Sequence, residues 1–257
     1  MRVLVTNDDG VHSKGLHLLA KRLKSLGEVT VIAPDRERNA ASHALTLHKP
    51  LRVEQLGNGF YSVNGTPTDC VNLGANALLD KRPDLVVSGI NKGGNLGDDV
   101  TYSGTVSAAI EGILLGIPSV AVSLLDDGEF QFATAAEFAV RLVRLIGKHG
   151  LPKDTLLNVN VPNLPISAVR GVKITSLGKR IYDKSNIVAK TDPRGRAYYW
   201  IGANETSWED RKDTDDLAIR DKMVSVTPIH LDLTNYVVLN RLREWEPMLA
   251  TKVRRKK

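Results

Sequence analysis

Two adjacent carboxylates, Asp8 and Asp9, follow an apolar run over residues 2–6 near the start of the chain. The run is typical of a short buried strand, and Asn7 and Gly10 mark the turn that ends it. Open α/β sheets bind ligands at the carboxyl ends of their strands. Two neighbouring carboxylates repel each other unless one is protonated or a cation lies between them. Oxygen ligands of this kind suit Mg²⁺ or Mn²⁺, although an Asp-rich turn without a ligand is an open alternative.

Two further polar segments follow predicted strands and supply more oxygen ligands. One is the loop 35–46, and the other begins at Asn91, after the apolar run 84–90. Because parallel strands place their carboxyl ends at one edge, these segments can meet the Asp pair. The combined set suits a hard divalent ion and suits structural zinc poorly. Its members are Asp8, Asp9, Asn39, Ser42, His43, Asn91 and Asn95.

An anion site is predicted beside this cation site. Residues 93–105 are rich in glycine, and Ser103, Gly104 and Thr105 stand where a predicted helix begins. Free N–H groups and the helix dipole favour an anion there, although the two hydroxyls can equally serve as simple helix caps. A cation site beside an anion site indicates metal-assisted phosphoryl chemistry. The sequence contains no G-x-x-x-x-G-K-[ST] motif, and no G-x-G-x-x-G follows the first strand.

Alternating strands and helices must position these residues. The first strand, a helix capped by Ser13 and a strand at 28–33 form a βαβ unit. Next come a hairpin at 51–63 and a helix at 69–79 capped by Thr68 or Asp69. They are followed by strands at 84–90 and 119–124 and by helices up to 115 and over 132–149. The fold class is therefore α/β, a Rossmann-like doubly wound and mostly parallel sheet over residues 1–150. Residues 151–257 are predicted to be a β-rich extension within the same functional unit, with strands near 156–161, 172–175, 197–201 and 224–229, an oligomerisation arm and a helix at 235–248.

Composition limits the classes of function and location. The single cysteine, Cys70, excludes an internal disulfide, and the lack of a signal-peptide pattern or a long apolar run predicts a cytoplasmic protein without membrane contact. The formal charge is +6, but the tail 252–257 holds five basic residues, so six minus five leaves +1 for the rest. A nearly neutral body argues against stable nucleic-acid binding.

Five motifs in order resemble the SurE family of survival-protein nucleotidases. They are VTNDDGV, APDRER followed by ASHALT, VNGTPTDCV, VSGINKGGNLGDDVTYSGTVSAA and LNVNVP. The resemblance implies one divalent cation, Mg²⁺ or Mn²⁺, for each subunit. Its implied metal ligands are Asp8, Asp9, Asn91 and, where the family usually has serine, Asn39. The implied phosphate-binding residues are Asn95, Ser103, Gly104 and Thr105.

The resemblance also implies an activity and an assembly. Members of the family hydrolyse nucleoside 5′- and 3′-monophosphates, some cleave short polyphosphate, and they form homodimers or homotetramers partly through an exchanged C-terminal segment. Catalysis would then rest on Asp8 or Asp9, which could orient the attacking water.

Two other classes of function compete with this interpretation. A nucleotide- or phosphate-sensing module would bind the same ligand without turnover. A receiver-type signalling domain also carries an acidic pair after its first strand, but its later strand ends in a phosphorylated aspartate, and here that place is taken by Asn91, which cannot form an acyl phosphate. Among the histidines at 12, 17, 43 and 48, only His43 stands out as a candidate acid–base group.

Overall fold

A computed structural model describes residues 1–38, 40–125, 128–181, 187–201 and 207–250. Its first part alternates strands and helices as the sequence predicts. The elements are β1 (Arg2–Thr6), α1 (Lys14–Leu23), β2 (Glu28–Pro34), β3 (Val53–Gly57), β4 (Phe60–Val63), α2 (Pro67–Leu73), β5 (Leu85–Lys92), α3 (Gly104–Leu114), β6 (Ser119–Leu124) and α4 (Phe132–His149).

The second part is richer in strands, as predicted. Its elements are β7 (Thr155–Val161), β8 (Gly171–Ile174), β9 (Arg180–Ile181), β10 (Ile187–Thr191), β11 (Ala197–Ile201), β12 (Ser207–Trp208), α5 (Asp215–Arg220), β13 (Met223–His230), α6 (Tyr236–Arg243) and α7 (Glu246–Leu249). None of the helices in these described ranges is long and apolar enough to cross a bilayer.

Nine strands form one mixed, mostly parallel sheet in the order β3-β4-β2-β1-β5-β6-β7-β13-β8. Strand β3 is antiparallel to β4, and β13 is antiparallel to β7. The strand order reverses between β1 and β5, which are parallel neighbours. A reversal of this kind opens a crevice at the carboxyl ends of the two strands, where doubly wound sheets bind their ligands. The predicted α/β fold class is confirmed.

Helices cover both faces of the sheet, because side chains along each strand alternate between the two faces. Val3 and Val5 of β1 pack into the core beneath α1 and α4, whereas Leu4 packs into the core beneath α2. Strands buried on both faces read as nearly continuous apolar runs, which is why the sequence located them well.

Three local predictions need correction. Helix α2 begins at Pro67 and is capped by Thr66, because Thr66 and Asp69 form a reciprocal capping box that favours an earlier start than the predicted caps Thr68 or Asp69. Helix α5 was missed, because its six residues are too few for a periodic apolar pattern. The predicted single helix at 235–248 is two helices, α6 and α7, interrupted before Pro247.

The predicted division of the chain at residue 150 stays a prediction. Strand β7 pairs in parallel with β6, and β13 and β8 extend the same sheet beyond β7. The β-rich part therefore continues the central sheet. It also contains two separate two-stranded sheets, β10 with β11 and β9 with β12.

Candidate functional site

Asp8 lies directly after β1 and is seated against the N-terminus of α3. Its side chain is buried, with only 4% of the residue exposed. The Thr105 backbone N–H donates to Asp8 Oδ2 at 3.1 Å, and the Thr105 hydroxyl donates to Oδ1. Helix N-termini favour negative charge because their first N–H groups lack intrahelical partners. The carboxylate is therefore fixed by the helix that the sequence assigned to the phosphate site.

Gly104 makes this close approach possible. A Cβ atom at residue 104 would lie 2.9 Å from Asp8 Cβ and 3.3 Å from Pro67 Cγ. Any larger residue would push α3 away from the end of β1. The glycine predicted in the phosphate site thus serves at least to seat the helix beside Asp8.

Asp9 lies beside Asp8 in the corner between the ends of β1 and β5, and it accepts fewer hydrogen bonds than Asp8 does. The Lys92 N–H donates to Asp9 Oδ2 at 3.3 Å. Burial and the neighbouring Asp8 raise the pKa of Asp9 to about 6, and burial raises the pKa of Asp8 as well. Both shifts mean that the protein alone stabilises the ionised forms of the two carboxylates poorly. A cation between them would stabilise those ionised forms.

Asn91 stands at the end of β5, the strand next to β1. Its side-chain amide nitrogen donates to the Gly93 carbonyl oxygen at 2.8 Å, which leaves the amide oxygen as the atom suited to a cation. Asn7 supports the opposite side of the corner, because its amide nitrogen donates to the Gly10 carbonyl at 3.1 Å and to Ser13 Oγ at 2.8 Å. The same Ser13 caps α1.

The fourth predicted metal ligand, Asn39, lies outside the described residues, and its role stays a prediction. Arg38, the described residue before it, donates its backbone N–H to the Asp8 carbonyl at 2.8 Å. The loop after β2 is therefore anchored to the backbone of the acidic pair.

The chemistry of the donor set fits a hard divalent cation. Within the described ranges, no three His, Cys, Asp or Glu side chains gather as a metal cluster. An ion would instead rest on two carboxylates supplemented by amide oxygens, which are ligands that Mg²⁺ and Mn²⁺ accept.

Asn95 is the centre of a buried polar network behind the predicted phosphate loop. Its side-chain amide donates to Ser123 Oγ at 2.7 Å, and its backbone N–H donates to Asn160 Oδ1 at 2.8 Å. The Asn95 carbonyl accepts from the amides of Asn158 at 2.8 Å and Asn160 at 2.9 Å. These contacts fix the loop to β6 and β7.

Asn158 and Asn160 were not assigned a role from the sequence. Their signal was the alternation of asparagine with apolar residues in β7, which puts both amides on one face of the strand.

Asp215 was also missed, and it anchors the other side of this loop. It is fully buried at the start of α5, and its carboxylate accepts from the backbone N–H groups of Gly97 at 2.9 Å, Gly178 at 2.8 Å and Asp216 at 2.9 Å. Nearby, Arg180 pairs with Asp99 at 2.9 Å. The loop between β5 and α3 is therefore fixed by hydrogen bonds and an ion pair with residues of the β-rich part of the chain.

Ser103 and Thr105 both have partners within the protein. Ser103 Oγ accepts from the Val106 N–H at 3.0 Å and so caps α3, which matches the capping alternative left open by the sequence. Since a hydroxyl can accept and donate together, the Ser103 proton remains available for an anion. The Thr105 hydroxyl donates its proton to Asp8.

Comparison with known proteins gives a consistent result. Residues 3–184 match the family model described as Survival protein SurE. The chain is 58% identical over 247 residues to "5′-nucleotidase SurE" of Geobacter sulfurreducens, covering 96% of this chain and 94% of that protein. It is 56% identical to the protein of the same name from Geobacter metallireducens, with 96% and 98% covered. The crystal structure of the SurE protein from Aquifex aeolicus superposes with a TM-score of 0.88 at 46% identity, covering 96% of this chain and 100% of that one.

Replacing Asp9 by asparagine is expected to stabilise the metal-free protein at alkaline pH. The pKa of Asp9 rises on folding from 3.8 to about 6, so its contribution to stability is present below about pH 4 and lost as the pH rises through about 6. Because the site is partly exposed, we expect the variant to gain about 1–2 kcal/mol at pH 8, or roughly 2–6 °C in Tm, and much less at pH 4. Thermal unfolding in chelator at both pH values measures this, with the exposed Asp80→Asn as control. An equal gain at the two pH values would contradict it.

Proposed function

The chain belongs to the SurE family of survival proteins, and from this premise we propose that it is a metal-dependent phosphomonoesterase that hydrolyses nucleoside 5′- and 3′-monophosphates to nucleoside and phosphate. The observation that carries the proposal is the seating of Asp8, the first residue of the acidic pair Asp8–Asp9, against the N-terminus of α3, at the point where the strand order reverses. The relatives named 5′-nucleotidase support the same activity for this chain. Short-chain polyphosphate is proposed as a further substrate.

The proposed cofactor is one Mg²⁺ or Mn²⁺ for each subunit. Asp8, Asp9 and Asn91 would hold it, together with Asn39. When bound, such an ion supplies a Lewis acid for the phosphate and lowers the pKa of a bound water. The raised pKa values of the two carboxylates support this assignment, because they report negative charge that the protein leaves unbalanced.

The proposed phosphate site is the N-terminal turn of α3 with its preceding loop. Ser103 can donate its hydroxyl proton to a phosphate oxygen, and the N–H of Gly104 lies at the positive end of the helix dipole. Asn95 holds the loop in place through its buried network. Thr105 would contribute mainly by fixing Asp8, since both its N–H and its hydroxyl donate to that carboxylate.

Of the two proposed catalytic carboxylates, Asp9 is the better candidate for orienting the attacking water. Both oxygens of Asp8 already accept hydrogen bonds from Thr105. Asp9 accepts through Oδ2 from Lys92. Its other oxygen is suited to a water beside the phosphate.

Self-association as a homodimer or homotetramer is proposed for the C-terminal part. Helices α6 and α7 bury none of their residues in the chain. Their exposed apolar side chains include Val237, Leu242, Trp245 and Leu249. Several large apolar side chains exposed together on one segment are typical of an interface.

Restoring divalent ions to chelator-treated protein should restore phosphate release from a panel of nucleoside monophosphates. Asp8→Asn and Asp9→Asn are expected to lose activity by orders of magnitude while remaining folded, because each removes a charged ligand. Phosphate release measured with each ion in turn tests this, with Asp80→Asn as control. Nucleotide binding without metal-dependent phosphate release would favour a non-catalytic sensing module instead.

Thr105→Val should weaken binding of Mn²⁺. The variant keeps the backbone N–H but removes the hydroxyl that donates to Asp8, and a hydrogen bond to a charged group contributes about 1.5–3 kcal/mol, roughly ten- to a hundredfold in affinity. Thr105→Ser retains the hydroxyl and should bind Mn²⁺ nearly as wild type does. Isothermal titration calorimetry with Mn²⁺ alone measures both. Unchanged affinity in the valine variant would show that Asp8 does not depend on this donor.

Deleting residues 231–257 should leave a folded but less associated protein with weaker catalysis. The deletion removes α6 and α7 and leaves β13 in the sheet. Analytical ultracentrifugation of the two lengths at equal concentration measures the change. The same oligomer in both would rule out an assembly role for this segment.

A further inference from the structure

His43 and Glu111 form a pair that the proposed metal and phosphate sites do not use. His43 Nε2 lies 2.9 Å from Glu111 Oε2, and the side-chain amide of Asn72 donates to Glu111 Oε1 at 2.8 Å. Glu111 belongs to α3 and is only 4% exposed, whereas the His43 side chain is 34% exposed. A buried carboxylate thus holds a partly exposed imidazole by a hydrogen bond.

The charge state of Glu111 fixes the tautomer of His43. Hydrogen bonds from His43 and Asn72 hold the pKa of Glu111 below its ordinary value, although burial and the nearby Asp69 oppose them. An ionised carboxylate accepts hydrogen bonds only, so Nε2 of His43 must carry a proton. The other ring nitrogen, Nδ1, is then the atom that can exchange a proton with a ligand. This arrangement of carboxylate and histidine is the one that orients acid–base groups in many enzymes.

The chain on either side of His43 is tied to the N-terminal ends of α3 and α2. The Ser42 N–H donates to the carbonyl of Tyr102, the residue before Ser103, at 3.2 Å. The Ala44 carbonyl accepts from the Thr66 hydroxyl at 2.8 Å, and Thr66 caps α2. Pro67, the next residue, borders Gly104 beside Asp8. The backbone on either side of His43 is therefore tied to the two helix ends that border the proposed phosphate site.

Hydrolysis of a nucleoside monophosphate needs a proton on the leaving ester oxygen. When water attacks phosphorus, the bond between phosphorus and the ester oxygen breaks and its electron pair stays on that oxygen. A sugar alkoxide is a poor leaving group, so a positioned acid accelerates the step.

We infer that His43 is the general acid of the proposed phosphatase and that Glu111 is its positioning residue. The inference rests on the proposed function. Protonated His43 gives the Nδ1 proton to the departing ester oxygen as the bond to phosphorus breaks, and the nucleoside leaves as a neutral alcohol. Glu111 accepts the hydrogen bond from Nε2–H throughout, and its negative charge stabilises the imidazolium before the transfer. The attacking water keeps one proton in the new P–OH group and loses the other to solvent, and a proton from solvent returns to Nδ1, so the protons balance over the cycle.

The test compares two substrates that differ in their leaving group. Adenosine 5′-monophosphate needs a proton on its leaving oxygen, whereas p-nitrophenyl phosphate releases a stabilised phenolate that does not. With saturating Mn²⁺, His43→Gln should lower kcat for the nucleotide by about 10²–10⁴-fold and leave kcat for p-nitrophenyl phosphate within a few-fold of wild type. His149→Gln, at the C-terminal end of α4 and the opposite edge of the sheet, is the matched control and should affect neither substrate.

Glu111→Gln should show the same selectivity with a smaller loss, because glutamine cannot accept from both His43 and Asn72 as the carboxylate does. Its Tm is measured alongside, and if the variant does not fold, the His43 variant still decides the question. Equal losses on both substrates in His43→Gln, or no loss on either, would overturn the inference while the proposed function stands. A wild-type protein that releases phosphate from neither substrate would overturn the proposed function and this inference together.

Discussion

The contact between Asp8 and the N-terminus of α3 is the constraint on which the site depends. It joins the first strand of the sheet to a helix almost a hundred residues later, through one backbone and one side-chain donor from Thr105. The missing side chain of Gly104 allows the approach. A buried carboxylate is costly unless it is hydrogen-bonded, and the helix terminus supplies donors that lack other partners. The proposed cation ligands and the proposed phosphate site thereby share one rigid element.

The loop between β5 and α3 needs supports that its own sequence does not provide. Glycines make it adaptable, and its fixed shape comes from the amides of Asn158 and Asn160 on one side and from the carboxylate of Asp215 on the other. All three belong to the chain beyond residue 150. The later strands therefore extend the sheet and also hold the loop on which the proposed phosphate site lies. Functional sites of this kind require supporting hydrogen bonds to keep their geometry.

The sequence predicted the parts of the fold that local patterns encode. Strand β6 and helix α4 have the predicted bounds, because a buried strand and a long amphipathic helix each carry a strong periodic signal. The start of α2 was misplaced, since Thr66 and Asp69 form a capping box two residues earlier than a cap at Thr68 would allow. Asp215 could not be found, because its importance lies in accepting hydrogen bonds from Gly97 and Gly178, distant residues that no local pattern connects to it. The acidic pair itself was visible, because its two carboxylates directly follow an apolar strand, where open α/β sheets bind their ligands.

The acidic pair also links stability to ligand binding. Asp9 has its pKa raised to about 6 by burial and by Asp8, so ionising Asp9 at neutral pH costs the metal-free protein stability. A ligand that binds only the folded state stabilises it in proportion to the logarithm of its concentration. The large sheet core, buried on both faces, can hold this corner in place while it is strained by repulsion. The same negative potential that destabilises the empty corner would attract a divalent cation, so the property that weakens the fold locally is the one that the proposed chemistry requires.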